Sequence, residues 1–279
     1  MKVSEQCSGC LWRRQQALTD DQHYLAEIRA ILDGRSENDC APYLIYQFNA
    51  VYEKYFGKRP SYKAEKKKYN DLLLSMEEIL RKRISDSEDP LRTAFVYARI
   101  GNYIDFGAMS CVDENTFLSL FDNTALSERD KPVYDSFTEQ CRNGKTFLLI
   151  ADNCGEIVLD KLFLEQLKTH FPQLSLRVMV RGGEALNDAS TEDAEYVHID
   201  RIARIISNGK PISGTVYEIL SDEAKAAIDD SDIIFAKGQG NYESLSGQGR
   251  HIFYSFLCKC GLFTGKFNVP KLTGIFLEE

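Results

Sequence analysis

No apolar run in these 279 residues approaches the length of a membrane-spanning helix, which is about 20 residues, so no membrane-spanning helix and no membrane partner is expected. The first fourteen residues carry Glu5 and two cysteines where a secretory leader needs an apolar stretch, and the chain reads as cytoplasmic. Basic charge is in the minority: 34 Lys and Arg against 42 Asp and Glu leave a net charge of −8, with no basic tail. Nucleic acid is therefore not an expected partner. Eight cysteines in a chain of this length are too sparse for a disulfide scaffold. Internal repeats, low-complexity segments and long linkers are absent as well. What is present is 43% hydrophobic residues, enough for the core of one large or two ordinary domains.

Two cysteine pairs stand out by spacing. Cys7-x-x-Cys10 and Cys258-x-Cys260 lie near opposite ends of the chain. If the ends meet, four thiolates can bind zinc or form a redox pair. The alternative is buried thiols packing as small hydrophobes.

Up to about residue 140 the pattern is helical, with no convincing period-2 strand. Tyr24, Leu25, Ile28 and Leu32 mark one apolar stripe, and Tyr69, Leu72, Leu73, Met76, Ile79 and Leu80 another. Lys63, Lys66, Lys67 and Lys68 at the start of the second helix read as a solvated face or, less simply, a basic binding patch. Asp89-Pro90 supplies a cap and a first-turn proline for a helix expected to end near Gly101-Asn102. From about residue 141 short β-branched or aliphatic runs alternate with helical stretches. Five strands are expected, at 145–151, 175–181, 202–207, 231–236 and 251–257, with a helix from Glu156 to Phe171 between the first two. The fold expected is α/β: a Rossmann-like, mostly parallel sheet with helices on both faces over residues 141–279, preceded by an all-α domain over residues 1–140.

Open α/β sheets bind ligands at the carboxyl ends of their strands. The first run ends in Asp152-Asn153-Cys154-Gly155-Glu156, the second leads into Arg181-Gly182-Gly183 and on to Asn187-Asp188, and the fourth ends in Lys237-Gly238-Gln239-Gly240-Asn241-Tyr242-Glu243. Asp152, Asn153 and Asp188 each have a local alternative as helix caps. Right-handed crossovers place both loops on one edge of the sheet, where they can share a divalent cation. Lys237 with the glycine turns suits a phosphate, although the loop lacks the third glycine of GxGxxG and does not match a Walker pattern. Asn208-Gly209 and Ser213-Gly214-Thr215 carry the same two readings, phosphate turn or structural turn.

Other absences narrow the chemistry. The first loop has Cys154 where an aspartyl-phosphate enzyme of the haloacid dehalogenase kind has its second aspartate, so a metal-activated water is the better nucleophile than Asp152. None of His23, His170, His198 and His251 falls in these loops, which disfavours an imidazole-rich zinc hydrolase. The all-oxygen ligand set suits Mg or Mn.

Asp152-Asn153-x-Gly155-Glu156, Asn187-Asp188, Lys237-Gly238-Gln239-Gly240-Asn241-Tyr242-Glu243 and Gly101-Asn102-x-x-Asp105-Phe106-Gly107 together resemble the damage-control phosphatase family. The likeness covers nearly the whole chain. The CxxC followed by Arg13-Arg14, with the late Lys259-Cys260, resembles its prokaryotic branch. The resemblance implies metal-dependent removal of phosphate from small phosphorylated metabolites such as sugar phosphates, with Mg, Mn, Co or Ni as cofactor. It implies Asp152, Asn153 and Asp188 as metal ligands and Lys237 as the residue holding phosphate. Asn102 and Asp105 match the motif contributed by the helical part, with a helix C-cap and a surface turn as their structural alternatives. Amides near Gly155 and Gly240 are expected to stabilise phosphoryl oxygens, and Glu156, Asp105 or Glu243 to orient the water. Two rival readings are a carboxyl methyltransferase using S-adenosylmethionine and a non-catalytic metal or redox protein built on Cys7, Cys10, Cys258 and Cys260. The methyltransferase is disfavoured because its cofactor needs a glycine-rich loop where Asp152-Asn153 stands.

Overall fold

The computed structural model describes residues 1–103, 118, 119, 121, 122 and 125–279. Strands β1 (Thr146–Ile150), β2 (Ser175–Val180), β3 (Arg204–Ser207), β4 (Ile233–Lys237), β5 (Phe253–Leu257) and β6 (Gly274–Glu278) form one sheet in the order β3-β2-β1-β4-β5-β6. The first five are mutually parallel, and β6 runs antiparallel to β5. The five expected strands are present, each end within two residues of its expected place. The sixth was not expected. Its sequence Gly274-Ile275-Phe276-Leu277-Glu278 does not alternate, because Ile275 and Phe276 are both buried, and so it carries no period-2 signal.

The helices are α1 (Glu5–Gln16), α2 (Gln22–Asp33), α3 (Ala41–Phe56), α4 (Lys63–Ser85), α5 (Pro90–Ile100), α6 (Lys131–Asn143), α7 (Glu156–His170), α8 (Thr191–Tyr196), α9 (Asp222–Asp229), α10 (Gln239–Leu245) and α11 (Gly261–Phe267). Alternation along β1 sends Phe147 and Leu149 to one face of the sheet and Leu148 and Ile150 to the other. The first face is covered by α4, α5, α6 and α7, with Phe95, Phe137, Phe163, Phe235 and Phe276 packed ring against ring. Burial of each such ring contributes roughly 1.5–3 kcal/mol. The second face is covered by α9, α10 and α11 through Ala224, Tyr242 and Phe263. Helices on both faces are thus as expected. A separate cluster built on Tyr24, Ile28, Leu44 and Phe48 holds α1, α2 and α3 together. Helices α4, α5 and α6 share the core of the sheet, whereas α1 to α3 pack in the separate cluster.

The expected stripes recur in α2 and α4, except that Ile79 faces solvent at 44% exposure. Asp89 caps α5, its carboxylate accepting from the Arg92 amide at 3.0 Å. The lysines at the start of α4 are not a simple solvated face. Lys66 is buried in an ion pair with Asp193 at 2.5 Å and Lys63 pairs with Glu192 at 2.8 Å, so they seam α4 to α8.

The strand order reverses at β1, which lies between β2 and β4. The crevice beyond its carboxyl end is the topological switch point where such sheets take ligands.

Candidate active site

Beyond β1 and β2 the two loops are stitched together by backbone. The Cys154 amide donates to Asn187 O at 2.8 Å, the Ala189 amide donates to Asp152 O at 2.7 Å, and Asn153 and Asp188 form an isolated antiparallel bridge. This pairing puts Asp152, Asn153 and Asp188 side by side at the switch point. None of the three is a helix cap. The cap position of α7 is Gly155, with no side chain bonded to it, and α8 is capped by a box between Ser190 and Asp193.

The Asp152 side chain keeps 13% exposure, while that of Asp188 keeps 6%. Asp152 Oδ2 accepts from Asn153 Nδ2 at 2.8 Å and from Asn102 Nδ2 at 2.9 Å. Its carboxylate lies flat against Gly238, where an added Cβ would sit 2.1 Å away. Gly238 has φ +81°, so glycine is required there twice over. Burial pushes the Asp152 carboxyl up to about 7, and the neighbouring charges of Asp188 and Glu156 add to the effect against Lys259 and Arg181. Asp188 is also raised, because burial outweighs Arg181.

Arg181 is the residue that sequence reasoning missed. It is fully buried; Nε donates to Asp188 Oδ2 at 2.7 Å, and Nη1 donates to Gly214 O at 3.1 Å and Asn241 Oδ1 at 3.1 Å. Its Nη2 lies 3.8 Å from Asp152 Oδ1 and has no hydrogen-bond partner among the described residues. One guanidinium therefore ties the loops after β1 and β2 to helix α10 and to the turn at Gly214-Thr215. The available signal was an arginine at a strand end, seven positions before Asp188.

Lys237 departs from expectation. It closes β4 instead of standing in the loop, is fully buried, and gives its three N–H groups to Ala98 O at 2.8 Å, Glu156 Oε1 at 2.6 Å and Asp160 Oδ1 at 2.7 Å. In this arrangement no donor is left for a phosphate. Glu156 is equally committed: it accepts from Lys237, Asn153 and Asn102, so it cannot orient a water without giving up a partner. Burial pushes Asp160 up to about 7 despite Lys237, and one of its oxygens has no partner among the described residues. Asp160 also escaped notice, its position four residues after Glu156 on an apolar helix being the only clue.

The expected donors around the glycines are only partly available. The Gly155 amide, at φ +75°, is aimed at α4 and donates to Asn70 Oδ1 at 2.7 Å. Gly240 is packed against the turn after β3, where an added Cβ would meet Ser213 O at 2.5 Å. Glu243 accepts from Gln239 Nε2 at 2.6 Å and lies beside Cys7 and the chain's amino terminus. Asn102 does reach the site, bonding Asp152 and Glu156. Asp105 lies outside the described residues. Besides Arg181, the cation whose charge acts on Asp152 is Lys259, just beyond β5; its backbone amide donates to Gln239 Oε1 at 3.2 Å.

The chain ends do meet. Cys7 lies within electrostatic reach of Cys10 and Cys260, and Gln239 Nε2 approaches Cys260 Sγ at 3.8 Å. Burial pushes the Cys7 thiol up to about 12, which leaves it protonated. Cys258 is buried and all four are free thiols. Among the described residues no three Cys, His, Asp or Glu converge as metal ligands, so the four-thiolate zinc site is not formed.

The oxygen cluster is of a different kind, two carboxylates and one carboxamide. Asp152, Asn153 and Asp188 are hard donors of the sort Mg and Mn take. A buried carboxylate whose proton affinity is raised by burial and by a neighbouring carboxylate, as that of Asp152 is by Asp188, is what a divalent cation relieves. The donor set fits such a metal.

Comparison with known proteins adds a lineage to this geometry. The family model described as the damage-control phosphatase ARMT1-like domain matches residues 2–273. A protein of Archaeoglobus fulgidus named damage-control phosphatase is 28% identical over 272 residues, 93% of each chain. A damage-control phosphatase of Pyrococcus horikoshii is 26% identical over 286 residues, 97% of this chain and 96% of that one. The crystal structure of a DUF89 family protein from Pyrococcus horikoshii superimposes with a TM-score of 0.81 over 99% of both chains at 22% identity, and so shares the fold.

Proposed function

Since the chain belongs to the damage-control phosphatase ARMT1-like family, we propose that it is a divalent-metal-dependent phosphatase that hydrolyses small phosphorylated metabolites, sugar phosphates first among them. The observation that carries this reading is the pairing of Asp152, Asn153 and Asp188 at the switch point. A metal bound there supplies charge neutralisation at the phosphoryl group and lowers the pKa of water.

The chain's own groups do the rest. Asp152, Asn153 and Asp188 present the oxygen ligands, and Arg181 holds the Asp188 carboxylate through Oδ2, with Ser213 as a further hydrogen-bond partner. Lys259 brings positive charge to Asp152 from the loop after β5, and takes the phosphate-holding role that Lys237 is too enclosed to fill. Lys237 instead pairs with Glu156 and Asp160 beneath the site. The substrate's non-phosphoryl part is met by Gln239, half-buried beside Lys259, whereas Asn102 is buried and holds Asp152 and Glu156 in place. An oxygen set of this kind accepts Mg, Mn, Co or Ni. A methyltransferase gains no support, because Asp152-Asn153 and the carboxylate packed on Gly238 occupy the turn its cofactor needs.

The test is phosphate release from a panel of sugar phosphates and a generic aryl phosphate, using EDTA-stripped protein reloaded with each metal in turn. Metal-dependent release that Asp188→Ala abolishes is the expected result. No release with any metal, or release that survives Asp188→Ala in folded protein, overturns the reading.

A further inference from the structure

A carboxamide ligates a hard cation only through its oxygen, and its nitrogen end can only donate. Asn153 must therefore be held one way round. Its Nδ2 donates to Asp152 Oδ2 at 2.8 Å and to Glu156 Oε2 at 3.0 Å, while its Oδ1 turns to the other side and accepts from Asn187 Nδ2 at 2.8 Å, in the loop that carries Asp188. Turned over, the amide would set its oxygen against two carboxylate oxygens. Asn102 repeats the pattern, its Nδ2 donating to Asp152 Oδ2 at 2.9 Å and Glu156 Oε2 at 3.1 Å.

We infer that Glu156 is a positioning residue: it fixes which end of the Asn153 carboxamide faces the metal, and Lys237 fixes Glu156. Glu156 is fully buried, and the Lys237 ammonium binds its Oε1 at 2.6 Å, which leaves Oε2 as the acceptor shared by the two asparagines. Lys237 is itself braced by Ala98 O and Asp160. Control runs from a buried ion pair, through a carboxylate, to the orientation of a ligand, without any contact between Glu156 or Lys237 and substrate. Partners behind a ligand of this kind typically govern about 10–100-fold in metal affinity.

The inference rests on the reading of Asp152, Asn153 and Asp188 as metal ligands. Titration calorimetry with Mn²⁺ alone on the full chain tests it, with thermal melts to establish that each variant is folded. Glu156→Gln keeps an acceptor for Lys237 but presents an amide to Asn153, and the Mn²⁺ dissociation constant is expected to rise about 10–100-fold at unchanged stoichiometry. Asn153→Asp alone sets a carboxylate against both Glu156 and Asp152, so its affinity is expected to fall, although an added ligand charge by itself would raise it. The double variant Asn153→Asp with Glu156→Gln restores a donor facing an acceptor at position 156, with the contact to Asp152 still unfavourable, and is expected to recover part of the loss, which a merely structural role would not do. Wild-type affinity in folded Glu156→Gln, or tighter binding in Asn153→Asp, overturns the positioning role. If Glu156→Gln does not fold, the sign of the Asn153→Asp change decides. A wild-type chain that binds no Mn²⁺ overturns the ligand assignment itself, and this role with it.

Discussion

Arg181 and Asp188, seven residues apart in the loop after β2, are joined by a 2.7 Å hydrogen bond from Nε to Oδ2 with both side chains essentially withdrawn from water. A buried pair of this sort is kept for geometry as much as for energy, because desolvation offsets most of its attraction. Here the guanidinium also faces Asp152 Oδ1 at 3.8 Å, so a single fixed cation holds both carboxylates at one spacing.

Replacing Arg181 with Met removes that cation and leaves two buried carboxylates facing each other. Loss of one partner of a buried pair costs roughly 3–5 kcal/mol. The metal-free variant is therefore expected to melt well below the wild type. A divalent cation restores the missing charge, so added Mn²⁺ should raise the melting temperature of Arg181→Met by more than it raises that of the wild type. Equal shifts in calorimetric scans would show that Arg181 does not hold the carboxylate pair together.

Gly238→Ala probes the contact between β4 and Asp152. The substitution asks alanine to adopt φ +81° and places its methyl 2.1 Å from the Asp152 carboxylate. Backbone strain of this kind costs about 1–3 kcal/mol, within what a chain of this size can bear. The side chain that must move is a ligand, so metal affinity and metal-dependent turnover are expected to fall together while the circular dichroism spectrum stays intact. Wild-type metal affinity in this variant would mean that Asp152 can leave Gly238 without consequence.

The architecture was readable because its signals were local. The apolar run before Asp152, the helical spacing of Leu159, Leu162 and Phe163, and the cap at Asp89 each reflect one element's own periodicity. The meeting of Asp152, Asn153 and Asp188 followed from topology alone. What stayed hidden were interactions between distant residues. Nothing near Lys237 announces that Glu156 and Asp160, some eighty positions earlier, will consume its ammonium. Nothing near Gly155 announces that Asn70 will take its amide. Lys259 was visible only as part of a motif, and its approach to Asp152 depends on β5 lying beside β4.

Asp160 gives the stability of the metal-free protein a pH signature. Burial raises its folded value from an ordinary 3.8 to about 7, so between those values the folded chain binds more protons than the unfolded chain. Stability then falls as pH rises through that window and levels off above it. Asp152 acts in the same direction. Asp160→Asn deletes one such group while Lys237 keeps Glu156 as its partner. The melting temperature of the variant relative to the wild type is expected to climb between pH 5 and pH 8, and a difference independent of pH would remove Asp160 from the account.

Metal binding should carry the opposite dependence. A carboxylate must be deprotonated to ligate a cation, so binding below the pKa of Asp152 displaces a proton. With that value pushed up to about 7 by burial and by Asp188, affinity for Mn²⁺ is expected to strengthen by about tenfold per pH unit below neutrality and to flatten above it. Asp188, raised by burial as well, can only steepen the slope. Titrations at pH 6 in buffers of different ionisation enthalpy count the protons directly. Release of at least half a proton per metal, vanishing toward pH 8.5, is the expected result. Binding that releases none at pH 6 would mean that the carboxylates stand ionised before the metal arrives, in which case Arg181 and Lys259 already supply the charge that the cation is assigned here.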